Sequence, residues 1–268
     1  MTLKEKEKHL EEILKKYKKI VVAFSGGVDS SFLLVKGIET LGSQNVLAVN
    51  LISSMQPKRE EDYAKHFAEK YKANIIYLKA DEYSIKEFVE NSKDRCYFCK
   101  HAIFTKIIEE AQKKDFNIIC DGTNYDDLDD YRPGLRALKE LDVKSPLKEA
   151  ELTKNDIREL SKEMNIETWK KPSAACLASR VPYGTKISLE IMKKVELSEE
   201  FLRQLGFINH RVRYHGNIAR IEINLEQINL LLENREKIIK KFKEIGFLYV
   251  TMDLSGYTMG SQNLAIGG

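Results

Sequence analysis

Apolar residues in this chain follow two rhythms that alternate along its length. Leu10, Ile13, Leu14 and Tyr17 recur at helical spacing in a charged opening segment, which predicts an amphipathic helix. The β-branched run ending at Phe24 predicts a strand, and residues 32–41 predict a helix. Further strands are expected at residues 45–50, 75–78 and 116–120. Helices are expected around Tyr63, Phe67 and Tyr71 and at residues 84–89, 98–114, 133–141 and 153–164, with Thr153 or Asn155 as the cap of the last. Strands alternating with helices at this spacing indicate an α/β fold built on a doubly wound parallel sheet. Ligands bind such sheets beyond the carboxyl ends of the strands. The loops that begin at Ser25 and at Asp121 both fall there.

The rhythm lapses over residues 169–184, which carry Pro172 and Pro182 and predict a loop at a domain junction. Beyond it come an expected helix at 189–205, a hairpin of 210–214 with 218–223 around His215-Gly216-Asn217, a long helix at 227–245 and a strand at 247–254. The expected division is a doubly wound α/β domain over residues 1–175 and a smaller α+β domain over residues 176–268. The glycine-rich end, from Gly256 on, is expected to be mobile.

Composition narrows the class of protein. A hydrophobic fraction of 43% supports an ordinary core, and a net charge of +3 is too small to argue for nucleic acid as a partner. The first segment lacks an apolar stretch of signal-peptide length, and no run approaches a membrane span. A cytoplasmic protein with no membrane partner is expected, so its 4 cysteines point to metal or sulfur chemistry before disulfides.

The richest chemistry lies in Ser25-Gly26-Gly27-Val28-Asp29-Ser30-Ser31. A strand that turns through two glycines into a helix makes an anion site, because unpaired amides and the helix dipole favour negative charge there. The glycines let the backbone approach a phosphate closely. A carboxylate at Asp29 facing phosphate calls for a metal between them, which points to Mg²⁺ and a nucleoside triphosphate. No Gly-Lys-Ser/Thr follows, so the Walker loop is excluded. The run resembles the SGGxDS loop of the ATP pyrophosphatases, which implies cleavage of ATP between its α and β phosphates.

Cys96-Tyr97-Phe98-Cys99 is the second signal. Two thiols at this spacing can hold one metal centre or form a redox pair. Zinc would need further ligands, for which Cys176, Cys120 and His101 are available, and the context is not that of a thioredoxin motif. Cys120 closes an apolar run and reads as core. Cys176 lies in a loop with Lys170, Lys171 and Arg180, and nearby cations favour a thiolate.

Asp121-Gly122-Thr123-Asn124, Asp126-Asp127, Asp130-Tyr131-Arg132-Pro133-Gly134 and Pro172-Ser173-Ala174-Ala175-Cys176-Leu177-Ala178-Ser179-Arg180 follow the Ser25 loop in order. Together they resemble the LarE family, ATP-dependent sulfur transferases of nickel-pincer nucleotide biosynthesis. The resemblance implies adenylation of a carboxylate of pyridinium-3,5-biscarboxylate mononucleotide, then displacement of AMP by sulfur. Some members sacrifice the sulfur of the cysteine matching Cys176; others hold a 4Fe–4S cluster on three cysteines and accept external sulfide. Cys96, Cys99 and Cys176 favour the cluster here, since three thiolates leave one iron open.

The expected ATP contacts are Ser25, Gly26, Gly27, Asp29 and Ser30, with Gly122, Thr123 and Asn124 at the neighbouring strand end. Arg211 and Arg213 alternate on one strand face and suit a phosphate or carboxylates, with Arg220 on the same hairpin. The resemblance adds Ser179 and Arg180 as substrate contacts and Glu200 and Glu222 as acids for a metal. Expected partners are the nucleotide substrate, sulfide or a sulfur-donor protein, and further copies of the chain. A tRNA thiolation enzyme would use the same loop, although no RNA-binding module is recognisable. A nucleotide-binding regulator that has lost catalysis would have no need of Asp29. Amidating relatives would leave Cys176 unexplained.

Overall fold

The computed structural model describes residues 1–129, 133–172 and 175–258. Asp130, Tyr131, Arg132, Ser173 and Ala174, which carry part of the motifs above, lie outside the described residues, as does the tail from residue 259. Along the chain the elements begin with α1 (Leu3–Tyr17), β1 (Ile20–Ala23), α2 (Val28–Leu41), β2 (Val46–Ile52), α3 (Lys58–Lys70) and β3 (Asn74–Lys79). They continue with α4 (Lys86–Val89), α5 (Arg95–Gln112), β4 (Ile119–Cys120), α6 (Pro133–Glu140), α7 (Pro146–Glu149) and α8 (Lys154–Glu163). The rest are α9 (Leu189–Gln204), β5 (Arg211–His215), β6 (Ile218–Glu222), α10 (Ile228–Glu233), α11 (Arg235–Ile245) and β7 (Tyr249–Met252). Two compact units result, one of Met1–Ile85 with Asp94–Ala174 and one of Lys86–Lys93 with Ala175–Gly268.

The first unit holds a parallel sheet of order β3-β2-β1-β4. Val22 and Ala48 point into a core with α1, α2 and α8, through Leu10, Leu14, Phe32 and Leu160. Val21, Leu47 and Val49 point the other way, toward Phe104 and Ile107 of α5 and Leu138 of α6. Both faces are therefore covered, as the apolar β1 sequence requires. Thr153 is the cap of α8, in a reciprocal box with Asp156. The strand expected at 116–120 narrows to Ile119 and Cys120, and α5 starts at Arg95, ahead of the expected position. Asp94, a residue type favoured at that position, stands at its cap without making a side-chain capping bond.

In the second unit β5 and β6 form the expected hairpin, and β7 adds parallel to β6. Val212, Ile221, Phe242 and Phe247 fill its core. The expected long helix at 227–245 is broken at Asn234, whose side-chain amide donates to Leu230 O at 3.0 Å and competes with the helical ladder. Residues 86–93 join this unit through buried Asn91, which takes a left-handed φ of 56°. Its amide nitrogen donates to Pro182 O at 2.8 Å and Thr185 O at 3.0 Å. Among the described residues, no helix is long and apolar enough to cross a membrane.

Candidate functional site

The site in the first unit forms where adjacent strands β1 and β4 end, one in the Ser25 loop and the other in the Asp121 loop. Gly26 sits at φ 73°, which disfavours any side chain, and Gly27 starts α2 without a side-chain cap. The amides of Val28, Asp29 and Ser30 have no partner four residues back within the helix, so they remain donors for an anion. Ser30 Oγ accepts from Ser25 N at 3.2 Å and lies 3.1 Å from Ser25 Oγ, which fixes the loop around those amides. Such a cradle fits the polyphosphate of ATP.

Gly122 lets the second loop close on the first: a Cβ there would stand 3.1 Å from Ser30 N. Asp121 is buried and accepts from the Thr123 hydroxyl and from Ser145 Oγ at 2.7 Å. Asn124 Nδ2 is 3.5 Å from Asp29 Oδ1, so the two loops meet at the acid expected to face the metal. Asp126 Oδ2 accepts from the first amide of α8, Lys154 N, at 2.8 Å, and Asp127 Oδ2 from Asn124 N at 3.0 Å. Both acids thus brace the loop.

Two lysines complete this site: Lys154, which the sequence patterning did not single out, and Lys171, expected beside Cys176 and not here. The Lys154 ammonium makes a short ion pair with Asp29 Oδ2. Lys171 Nζ lies 2.9 Å from Gly26 O and 2.7 Å from Glu60 Oε2. Neither contact is local in sequence. The Thr153 cap position ahead of Lys154 and the Trp169-Lys170-Lys171 stretch are the nearest signals.

Cys96 and Cys99 lie three apart on the first turn of α5, on one helix face. Cys96 is exposed and Cys99 half-buried. Their soft thiols at this separation fit two ligand positions of an iron–sulfur centre. Tyr97 between them donates to Glu140 Oε2 at 2.6 Å and lies under the Arg136 guanidinium, 3.9 Å from the ring centroid, which ties this turn to α6. Cys120 is fully buried, and burial pushes its thiol far above the usual range. Among the described residues, no group of three or more His, Cys, Asp or Glu side chains is arranged to hold a metal.

Cys176, in the second unit, is exposed at the start of a 3₁₀ turn over Leu177–Arg180. Leu177, Ala178 and Arg180 are buried and anchor the turn. Arg180 forms a two-pronged pair with Glu199, at 2.8 and 2.9 Å, and also donates to Ala175 O and Cys176 O. The cations expected to activate Cys176 are therefore engaged: Arg180 by Glu199, Lys171 by Glu60, and Lys170 against the Trp169 ring.

Arg213 is held by Glu222 in the same forked manner and donates to Ser179 O at 2.8 Å. Arg220, opposite Arg213 across the hairpin, shares Glu222 at 3.0 Å. Glu222 is 1% exposed. It is the common acceptor of two guanidiniums, while Glu200 pairs with Arg203. Arg211 donates to His210 O and lies over Tyr257, 4.9 Å from its centroid. His215 closes β5 before the turn at Gly216 (φ 65°).

Glu199, the sequence neighbour of Glu200, is a further buried acid that the spacing of residues did not mark. Burial pushes its carboxyl up, but Arg180 and the Val212 amide more than reverse this and hold it below the usual carboxylate range. Glu199→Gln is expected to cost about 3–5 kcal/mol, because it strands the buried Arg180 charge. A group with a lowered folded pKa stabilises the protein above its unfolded pKa, about 4.3, and loses that contribution as pH falls through the folded value. Urea unfolding should therefore show the full deficit at neutral pH and a smaller one in acid.

Residues 2–114 match the family model described as NAD synthase. The chain is 35% identical to the pyridinium-3,5-bisthiocarboxylic acid mononucleotide synthase of Lactiplantibacillus plantarum, over 98% of this chain and 95% of that one. It is 36% identical to an uncharacterised protein of Synechocystis sp., over 97% and 98%. A tRNA(Ile)-lysidine synthase of Persephonella marina is 29% identical over 60% of this chain and 40% of its own.

Proposed function

Because the chain belongs to the LarE family of PP-loop ATP pyrophosphatases, we propose that it is an ATP-dependent sulfurtransferase that converts a carboxylate of pyridinium-3,5-biscarboxylate mononucleotide to a thiocarboxylate. A carboxylate oxygen of the substrate attacks the α-phosphorus of ATP, and pyrophosphate leaves. A sulfur nucleophile then attacks the acyl carbon, and AMP departs with the former carboxylate oxygen. The observation that carries this reading is the Ser25–Ser30 cradle in a chain matched along nearly its whole length to a synthase of a bisthiocarboxylic nucleotide.

The α2 amides and Ser30 stabilise the charge that develops on pyrophosphate. Mg²⁺ would be held by Asp29 and would neutralise the polyphosphate when bound. Gly122, Thr123 and Asn124 line the adjoining edge of the nucleotide site. Ser179, Arg180, Arg211 and Arg213 contact the substrate's phosphate and carboxylates, with Glu199 and Glu222 setting the planes of two of the guanidiniums.

For the sulfur source, the reading is a 4Fe–4S cluster held by Cys96, Cys99 and Cys176, whose open iron would bind external sulfide. Anaerobically reconstituted protein is expected to hold iron and acid-labile sulfide, and Cys96→Ala to lose both. Absence of iron, with Cys176 lighter after turnover by about 34 Da, the H₂S of a β-elimination, would assign the sulfur to Cys176 itself. The sulfurtransferase reading is tested by pyrophosphate release, which should require the pyridinium nucleotide. Release that responds to tRNA instead would move the assignment to tRNA modification.

A further inference from the structure

The peptide between Gly26 and Gly27 carries one carbonyl and one amide that point in opposite directions, because the bond is planar and trans. A glycine pair offers little steric resistance to rotation of that peptide. Its orientation must come from contacts. The Gly27 amide makes only a long one, 3.4 Å to Ser25 Oγ. The Gly26 carbonyl, by contrast, accepts from Lys171 Nζ at 2.9 Å.

Lys171 is itself held on several sides. Glu60 Oε2 is 2.7 Å from the ammonium, and the two side chains are only 15% and 10% exposed. The ammonium also lies over the Tyr63 ring, 3.7 Å from its centroid. Behind it, Arg158 donates to Trp169 O and, at 3.0 Å, to Lys171 O, while Lys171 N donates to Thr168 O at 2.8 Å. Glu60 alone would satisfy a structural lysine. The additional bond to a loop carbonyl gives the ammonium a second task.

We propose that Lys171 is a positioning residue for adenylation: it holds the Gly26 carbonyl to one side and so keeps the Gly27 amide among the donors available to the departing pyrophosphate. This rests on the sulfurtransferase reading for the identity of the nucleotide site. Lys171 acts on the loop, and the loop acts on the β and γ phosphates. AMP, which lacks those phosphates, should be indifferent to it.

That difference supplies the test. Calorimetric titrations with MgATP, magnesium pyrophosphate and AMP would be run on the full-length parent, Lys171→Met and Lys171→Arg. In Lys171→Met, ATP and pyrophosphate affinities are expected to fall by about tenfold or more, the scale of one charge-assisted hydrogen bond. AMP affinity should stay within about twofold, and arginine should restore most of the loss because it can reach both carbonyl and carboxylate. Equal losses for AMP and pyrophosphate, or no loss for pyrophosphate, would overturn the proposal.

A second readout covers a methionine variant that fails to fold. The charged or titratable groups facing Lys171 are Glu60, Arg59 and Tyr63 on α3, Glu167 on the preceding turn and Arg158 on α8. Burial lowers the Lys171 pKa from its ordinary value, with Glu60 opposing in part. Pyrophosphate affinity in the parent should therefore fall on the alkaline side as the ammonium deprotonates. Lys171→Arg should not share that fall, and coincident curves would contradict the proposal. A parent that binds neither ATP nor pyrophosphate overturns the adenylation reading and this inference with it. A parent that binds both, beside a methionine variant that binds them equally well, overturns this inference alone.

Discussion

Replacing Asp29 with asparagine is expected to slow pyrophosphate release by about 10²–10³-fold, the scale of losing one preorganised charge-stabilising group. Asparagine keeps the shape of the side chain and its contact with Asn124, so the loss isolates the negative charge. Stability should change little. The Asp29 and Lys154 side chains are 20% and 32% exposed, and pairs of that exposure contribute about 1 kcal/mol or less. A matched assay of pyrophosphate release and urea unfolding separates the two effects. Excess Mg²⁺ should recover part of the activity if weaker metal binding is the cause, and none if Asp29 only anchors Lys154.

Cys176→Ser is expected to separate the two halves of the reaction. Pyrophosphate release should persist, since the Ser25 cradle is built from residues of the other unit. Thiocarboxylate formation should fall by more than about 10³-fold, as when an essential nucleophilic or ligating group is removed. The substitution should not disturb the turn, because Leu177, Ala178 and Arg180 anchor it from below while residue 176 is exposed. Product analysis beside a pyrophosphate assay checks both parts. Parallel loss of both activities would show that Cys176 serves adenylation as well.

The sheet and its phosphate loop were legible because their signals are local. The β-branched run before Ser25, the two glycines and the apolar period after Ser30 specify strand, turn and helix within a dozen or so residues. The cap of α8 was narrowed to Thr153 or Asn155, and Thr153 takes it. The charge partners were not legible. Lys154 reaches Asp29 and Lys171 reaches Gly26 across more than a hundred residues, and an ion pair leaves no periodic trace in either strand of sequence. The same limit applied to the arginines. Alternation placed Arg211 and Arg213 on one face, but only the fold shows that Glu222 holds Arg213 and that Glu199 holds Arg180. Asn234 broke a helix whose apolar rhythm ran through it, since a side-chain hydrogen bond to the backbone does not alter hydrophobic spacing.

These partners change how the arginine cluster works. A guanidinium in a forked pair with a buried carboxylate has its plane fixed before any ligand arrives, so little side-chain entropy is lost on binding. Arg180 and Arg213 are of this kind, and Arg213 also donates to Ser179 O within the Leu177–Arg180 turn that follows Cys176. The arginines proposed to bind substrate and the cysteine-bearing turn thus share one hydrogen-bonded frame within the second unit.

The most direct test of the account is the product itself. Anaerobically purified protein with sulfide, MgATP and pyridinium-3,5-biscarboxylate mononucleotide would be examined by mass spectrometry, with ATP omitted as the control. The expected products are AMP, pyrophosphate and a pyridinium nucleotide in which sulfur replaces a carboxylate oxygen, all dependent on ATP. An unchanged pyridinium nucleotide, or ATP cleavage that proceeds equally without it, would contradict the sulfurtransferase reading.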